Sequence, residues 1–137
     1  MESVKGKYVL IAGATGGIGS QTAKLLAGSG AQVFLTGRNA EKLHTVAEQL
    51  SIPQTHTFAA DLSVPEQVQQ LAQQFFAVFP AIDVLVNASG VGIIKPMDTL
   101  SEVEFLRSLN FNLYAPFLLI KNFLPNMKEQ KKGLIIN

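Results

Sequence analysis

Val9-Leu10-Ile11-Ala12-Gly13-Ala14-Thr15-Gly16-Gly17-Ile18-Gly19 is the stretch that decides the fold. Its first residues are an apolar run without polar alternation, as expected of a strand covered on both faces. The glycines that follow are spaced G-x-x-x-G-x-G, and the helical spacing of Ile18, Ala23, Leu25 and Leu26 begins directly after them. Strand, glycine turn and helix in that order suit a nucleotide diphosphate. The chain can turn tightly, its backbone can approach the pyrophosphate, and the amides of a helix N-terminus point at the anion. Glycines also serve ordinary turns, so the cofactor reading rests on the strand before, the helix after and the sites downstream.

Outward from this turn, strand and helix signals alternate. The pattern predicts strands over Lys7 to Ala12, Gln32 to Thr36, Thr55 to Ala60, Ile82 to Asn87 and Leu134 to Asn137. It predicts helices over Ile18 to Ser29, Ala40 to Leu50, from Ser63-Val64-Pro65-Glu66 to about Phe79, and from Ser101 to the neighbourhood of Asn126. Gly28 and Gly30 stop the first helix. Ser63 is expected to cap the third, with Glu66 in capping-box position, and Ser101 with Glu104 to form a second box. The last helix is expected to bend at Pro116. Helices between short apolar strands imply crossovers and a parallel sheet. Gln67 to Gln74 is glutamine-rich but keeps helical apolar spacing, so it reads as a solvated helix face.

The bulk properties fit one domain: 137 residues, 47% hydrophobic and 15% charged, too rich in core material for disorder. A formal net charge of +1 gives no case for nucleic acid or an acidic membrane surface. With no cysteine there is no disulfide framework and no thiolate metal site. No apolar run approaches the roughly 20 residues that span a bilayer. Met1 to Lys7 is too short and polar for a signal peptide. The expectation is a soluble, cytoplasmic protein with no bound metal.

The spacing of the first glycines, together with Asp61-Leu62-Ser63, Asp83-Val84-Leu85-Val86-Asn87-Ala88-Ser89-Gly90 and Phe111-Asn112-Leu113 in the same order, resembles the short-chain dehydrogenase/reductase family. The resemblance covers the whole chain but about the first half of a typical member. It implies an α/β, Rossmann-like, doubly wound parallel sheet with strand order 3-2-1-4-5, ending after the fifth strand, so residues 1–137 would be a single incomplete dinucleotide-binding domain. It also implies that cofactor lies along Gly13, Thr15, Gly16, Gly17, Ile18 and Gly19 of the first turn, Arg38 and Asn39 after the second strand, Asp61 and Leu62 after the third, and Asn87, Ala88 and Gly90 after the fourth.

Cofactor preference follows from charge. An acid at the end of the second strand favours NAD by accepting from the ribose hydroxyls. Here that strand ends Leu35-Thr36-Gly37-Arg38-Asn39. Gly37 leaves space, and Arg38 offers a planar charged fork to a 2′-phosphate, so NADP is expected, with NAD possible. The alternative is that Arg38 is a solvated surface cation and Asp61 an ordinary turn residue. Two positions depart from the family: Ala12 stands in place of threonine, and Asn87-Ala88-Ser89-Gly90 in place of Asn-Asn-Ala-Gly. Both remove polar side chains where the first turn meets the fourth strand, and a weaker tie between them is expected.

In this family a tyrosine exchanges the proton, a lysine four residues later lowers its pKa, and a serine steadies the substrate oxygen. Asn112 matches the asparagine that completes the relay, with Asn110 the second candidate. The only tyrosines are Tyr8 and Tyr114, and Leu118 follows Tyr114 by four residues, so no Tyr-x-x-x-Lys pair exists. His44 and His56 have no partner cluster. The chain alone is expected to be inactive, and to form a homo-oligomer or associate through an exposed fifth strand and the fourth helix, to swap, or to be only marginally stable. Three readings remain: the N-terminal part of an NADP-dependent oxidoreductase acting on a carbonyl or alcohol, a non-catalytic NADP-binding sensor or interaction module, and a half-enzyme completed by another chain. Whether the reading frame ends after Asn137 separates the first from the others.

Overall fold

A computed structural model describes residues 3–137. Met1 and Glu2, the start of the segment judged too short and polar for a signal peptide, lie outside the described residues. The elements are β1 (Tyr8–Ala12), α1 (Gly17–Gly28), β2 (Gln32–Gly37), α2 (Ala40–Gln49), β3 (Thr57–Ala59), α3 (Pro65–Val78), β4 (Val84–Asn87), α4 (Glu102–Leu109), a π turn (Asn110–Tyr114), α5 (Ala115–Gln130) and β5 (Leu134–Ile136). The five strands form one parallel sheet in the order β3-β2-β1-β4-β5. This is the expected doubly wound topology.

Alternation along each strand splits the core between two faces. On one face Leu10, Phe34 and Leu85 pack against Val68, Leu71 and Phe75 of α3 and Leu119 and Phe123 of α5. On the other, Val9, Ile11, Val33, Leu35 and Val86 pack against Ala23 of α1 and Leu43 and Ala47 of α2. Phe75 centres an aromatic cluster, with its ring 5.4 Å from Phe34 and from Phe123 and 5.2 Å from Phe79. Gln69, Gln70, Gln73 and Gln74 are exposed, so the glutamine-rich stretch is a solvated face. Because β2 and β4 flank β1, the chain leaves β1 toward one side of the sheet and later returns on the other. A crevice therefore opens at the C-terminal ends of β1 and β4.

Two local expectations are corrected. Ser63 does not cap α3. The cap position is Val64, without a side-chain bond, and the Ser63 hydroxyl instead donates to the Asp61 carboxylate at 2.6 Å. The hydroxyl is oriented by a charged acceptor two residues away, which favours this local turn over a cap. Gln67, not Glu66, reaches back, its Oε1 accepting the Asp61 N–H at 2.7 Å.

The long helix is two α segments joined by the π turn, in which the Ala115 N–H reaches back to the Asn110 carbonyl. Pro116 lacks an N–H and its ring crowds the carbonyl four residues earlier, which favours a widened turn there. The helix also continues past Asn126 to Gln130 with Pro125 inside it. Pro125 and Lys121 are both exposed, so water can serve the carbonyl that Pro125 leaves without a partner. The Ser101–Glu104 box is present as expected. No residue of α4 is buried, and Val103, Phe105, Leu106 and Leu109 are exposed on it, as are Leu134 and Ile136 of the edge strand β5.

Candidate functional site

The site begins where β1 ends. Gly13 has φ +75°, and a Cβ there would lie 2.7 Å from the Ala88 carbonyl carbon and oxygen and from the Ser89 nitrogen. Only glycine permits that conformation and that approach together. The Ala88 N–H donates to the Ala12 carbonyl at 2.9 Å and the Ala14 N–H to Thr36 at 3.0 Å. The join between the first turn and the end of β4 is thus made by backbone, and the polar side chains missing at Ala12 and Ala88 are not needed for it.

The turn closes with the Gly16 N–H on the Gly13 carbonyl at 3.0 Å. α1 can seat this close because Gly19 has no Cβ, which would stand 2.1 Å from the same carbonyl oxygen. Gly16 is the N-cap of α1 and offers no side-chain bond. By contrast, Asn39 caps α2 by accepting from the Lys42 N–H at 2.9 Å, and Ser101 caps α4. The first intrahelical bond of α1 is Ser20 to Gly16. The amides of Gly17, Ile18 and Gly19 precede it, so they are left with the positive end of the helix dipole for an external acceptor.

In front of this turn is a cleft of about 200 Å³ lined by Gly13, Thr15, Gly16, Gly37, Arg38, Ala60, Leu62, Ala88, Ser89, Gly90, Val91 and Phe111. Of the residues singled out in the sequence, Gly13, Thr15, Gly16, Arg38, Leu62, Ala88 and Gly90 converge on it. Gly17 and Gly19 form the helix start beside it. Ile18 points away and lines a separate apolar groove with Leu26, Val84 and Ile136. The Asn39 side chain is occupied as the α2 cap. Asn87 Oδ1 accepts from the Ser89 hydroxyl at 2.5 Å and from its N–H at 3.3 Å, and so shapes the loop without lining the cleft.

Asp61 also stands just outside, holding the turn before α3. The Ser63 hydroxyl on its carboxylate lowers its pKa, partial burial opposes this, and the Ser63 N–H and the charge of Arg38 lower it further. Sequence reasoning missed Ala60, Ser89, Val91 and Phe111 as lining residues. Three of them are immediate neighbours of residues it did select, and Phe111 adjoins Asn112.

Arg38, exposed at the end of β2, carries its guanidinium carbon 5.0 Å from the centroid of the Phe111 ring. β2 itself ends without an acid. Its only fully buried polar side chain, Thr36, donates to the Phe58 carbonyl at 2.7 Å and ties β2 to β3.

Asn112, on the π turn, is held on the far side of the cleft. Its Oδ1 accepts the Val91 N–H at 3.0 Å, and its Nδ2 donates to the Val91 carbonyl at 2.8 Å and to the Ser108 hydroxyl at 3.1 Å. Its own carbonyl can receive no amide from Pro116 four residues on. Asn110 uses its carbonyl within the π turn. Tyr8 packs on Phe79 at 5.0 Å and Tyr114 on Phe117 at 6.2 Å. His56 meets the Phe79 ring edge-on at 4.7 Å, and burial lowers its pKa against an opposing hydrogen bond with the Val33 backbone.

The sheet order, the glycine turn at the switch point and the loop after β4 define a dinucleotide-binding α/β fold. The chain belongs to the short-chain dehydrogenase family, whose model matches residues 7–137. It is 36% identical over 140 residues to a fatty acyl-CoA reductase of Acinetobacter baylyi, covering 99% of this chain and 48% of that protein. An uncharacterized oxidoreductase of Mycobacterium bovis is 31% identical, over 99% of this chain and 42% of its own. The chain spans about half the length of the curated relatives it matches.

Among solved structures, a metagenomic short-chain oxidoreductase in complex with NADP superposes with a TM-score of 0.89 at 35% identity, over 99% of this chain and 63% of that one. A short chain dehydrogenase from Shigella flexneri gives 0.87 at 30% identity, over 98% and 56%. Among the described residues, no helix is long and apolar enough to cross a membrane.

Proposed function

We propose that residues 1–137 form one incomplete dinucleotide-binding domain of an oxidoreductase that binds NADP(H), in preference to NAD(H), for hydride transfer to or from a carbonyl or alcohol. The observation that carries this reading is the uncapped N-terminus of α1 opening onto a cleft whose β2 side bears Arg38 and no acid. The relative solved in complex with NADP supports it.

The residues present fit the group. A Cβ at Gly17 would meet only open space, which is room for a phosphate rather than for packing. The amides of Gly17, Ile18 and Gly19 would hold the pyrophosphate, and Arg38 the 2′-phosphate. Leu62, with Asp61 behind it, would border the adenine, and Ala88 and Gly90 the ribose and the cofactor's middle, with Asn87 bracing their loop. When bound, the nicotinamide supplies or accepts the hydride. The Asn112 side chain is engaged on Val91, so its part in a proton relay would fall to its main-chain carbonyl, which could hold a water. The 137 residues contain no Tyr-x-x-x-Lys pair. A tyrosine activated by lysine would then come from residues outside this stretch or from another chain. The same observation supports the second reading, a cofactor-binding module without catalysis.

Calorimetric titration with NADPH and NADH tests the proposal. Charge-assisted bonds from Arg38 to the 2′-phosphate should favour NADPH by about 10- to 100-fold. Equal affinities, or a preference for NADH, would refute the assignment of Arg38.

A further inference from the structure

Arg38 and Phe111 come from distant parts of the chain and meet at the cleft. Arg38 ends β2, Phe111 sits on the π turn between α4 and α5, and both line the space in front of the glycine turn. The guanidinium carbon is 5.0 Å from the ring centroid. Arg38 takes no part in the ion pairs found among the described residues, which join Lys7 and Lys132 to Asp83 and Lys95 to Glu104. Its side chain rests on an aromatic ring, and its charge also acts on Asp61 without an ion pair.

A guanidinium offers two chemically distinct surfaces. Its flat face is weakly hydrated and settles on an aromatic ring, while its five N–H donors lie in the plane and point outward. A guanidinium that lies flat on the ring beneath it engages that face and keeps those donors free. Contact with the ring also confines a long exposed side chain that would otherwise sample many rotamers, so less freedom is lost when an anion arrives.

We propose that Phe111 is a positioning residue for cofactor selectivity, holding Arg38 by its face so that the guanidinium edge is ready for the 2′-phosphate. The inference rests on the NADP(H) reading above and adds the residue that makes Arg38 effective. Phe111 should matter to a ligand that carries a 2′-phosphate and be nearly indifferent to one that lacks it.

The test is the dissociation constant of the intact protein for NADPH and for NADH in Phe111→Leu, Phe111→Met, Phe111→Tyr and Arg38→Met, with melting curves to confirm folding. Loss of the ring should weaken NADPH about 3- to 30-fold and leave NADH within about twofold. Phe111→Tyr restores an aromatic face and should keep the wild-type preference. In the Arg38→Met background, Phe111→Leu should have no further effect on NADPH, because nothing is left to position. Phe111→Met keeps much of the volume without the ring, so it carries the test if the leucine variant folds poorly.

Equal weakening of NADPH and NADH would overturn the inference by making Phe111 a contact for the shared part of the dinucleotide. An unchanged ratio, or an undiminished effect of Phe111→Leu in the Arg38→Met background, would overturn it as well. Wild-type protein that binds neither nucleotide, or prefers NADH, would overturn the cofactor reading and this inference together.

Discussion

Gly13 and Gly17 are four residues apart in one loop, yet alanine at each should have opposite effects on stability. At Gly13 two costs combine. Its φ of +75° is disfavoured for an L-residue by about 1–2 kcal/mol. The new Cβ would also lie 2.7 Å from backbone atoms of Ala88 and Ser89, where ordinary contact begins at 3.4 Å. Backbone cannot rotate aside, so overpacking adds about 1–3 kcal/mol, for a total of about 2–5 kcal/mol. With an unfolding entropy of about 2.1 cal/mol/K per residue, each kcal/mol shifts the Tm of a 137-residue cooperative unit by about 3.5 °C. Gly13→Ala should therefore lower Tm by about 7–17 °C.

At Gly17 a Cβ meets nothing within 4 Å, and the residue is helical. Reduced freedom of the unfolded chain should stabilise Gly17→Ala by about 0.4–1 kcal/mol, a rise of about 1–3 °C. The added methyl nevertheless enters the space in front of the α1 amides, so cofactor affinity should fall about tenfold or more, at least 1.4 kcal/mol. Thermal melts by circular dichroism, paired with NADPH titration, read both effects. A Gly13→Ala variant within 3 °C of wild type would refute the assigned role of the close approach to Ala88. A Gly17→Ala variant that binds NADPH normally would refute the amide cradle.

Three other outcomes follow from the same geometry. Asn112→Ala should cost about 1–2 kcal/mol and speed hydrogen exchange at the Val91 amide; Asn112→Asp, which faces the Val91 carbonyl with a second acceptor, should be no better, and unchanged exchange in both would sink the idea that Asn112 pins this loop. Burial raises the pKa of Asp83, but the Tyr8 amide at 3.0 Å, the Lys132 ammonium at 3.0 Å and the charge of Lys7 more than offset it, so the net shift is downward. A depressed carboxylate stabilises the fold above its unfolded pKa near 3.9, and this is lost as pH falls through the lower folded value. Asp83→Asn should accordingly flatten the acid limb of a stability-versus-pH curve, and an unaltered limb would contradict that. Finally, the apolar surface on α4 and β5 should make the isolated 137-residue chain associate; a light-scattering mass equal to one 14.8 kDa chain would contradict it.

The sheet was legible because burial on both faces writes near-continuous apolar runs, and because each crossover helix carries its own stripe. The glycine turn was legible because its residue types answer to backbone needs that no other side chain meets. What the sequence concealed was which local partner each polar side chain takes. Ser63 before Pro65 reads as a cap, but Asp61 lies closer and is charged, and it takes the hydroxyl. Asn39 reads as a cofactor contact from its place beside Arg38, but the bare amide of Lys42 claims its oxygen. In the site, Gly13, Gly16, Ala88 and Gly90, chosen for their backbone, line the cleft, with Gly17 and Gly19 beside it and Ile18 turned away, while Asp61 and Asn87, chosen for a polar side chain, are turned into their own loops. Arg38 is the exception: among the described residues it joins no ion pair, and it lines the cleft beside the Phe111 ring.

The π turn explains why α4 belongs to the site although no residue of α4 is buried. A helix with no core contact has little to fix its position except its ends. At one end Glu104 accepts from the Ser101 amide, Lys95 and the Ser101 hydroxyl, which together hold its pKa down to about 2, so that anchor stays charged through most of the acid range. At the other end, consecutive residues of the π turn reach opposite walls of the cleft: Phe111 lies under Arg38 from β2, and Asn112 clasps Val91 in the loop after β4. Pro116 favours this arrangement, since it removes an amide that a regular helix would need to place and denies the Asn112 carbonyl its usual partner four residues on. A ligand bridging the β2 and β4 walls would therefore bear on the position of α4 through two adjacent residues, and the Val91 exchange rate with and without NADPH would reveal it. If NADPH binding left that rate unchanged, α4 would be fixed by its capped end alone.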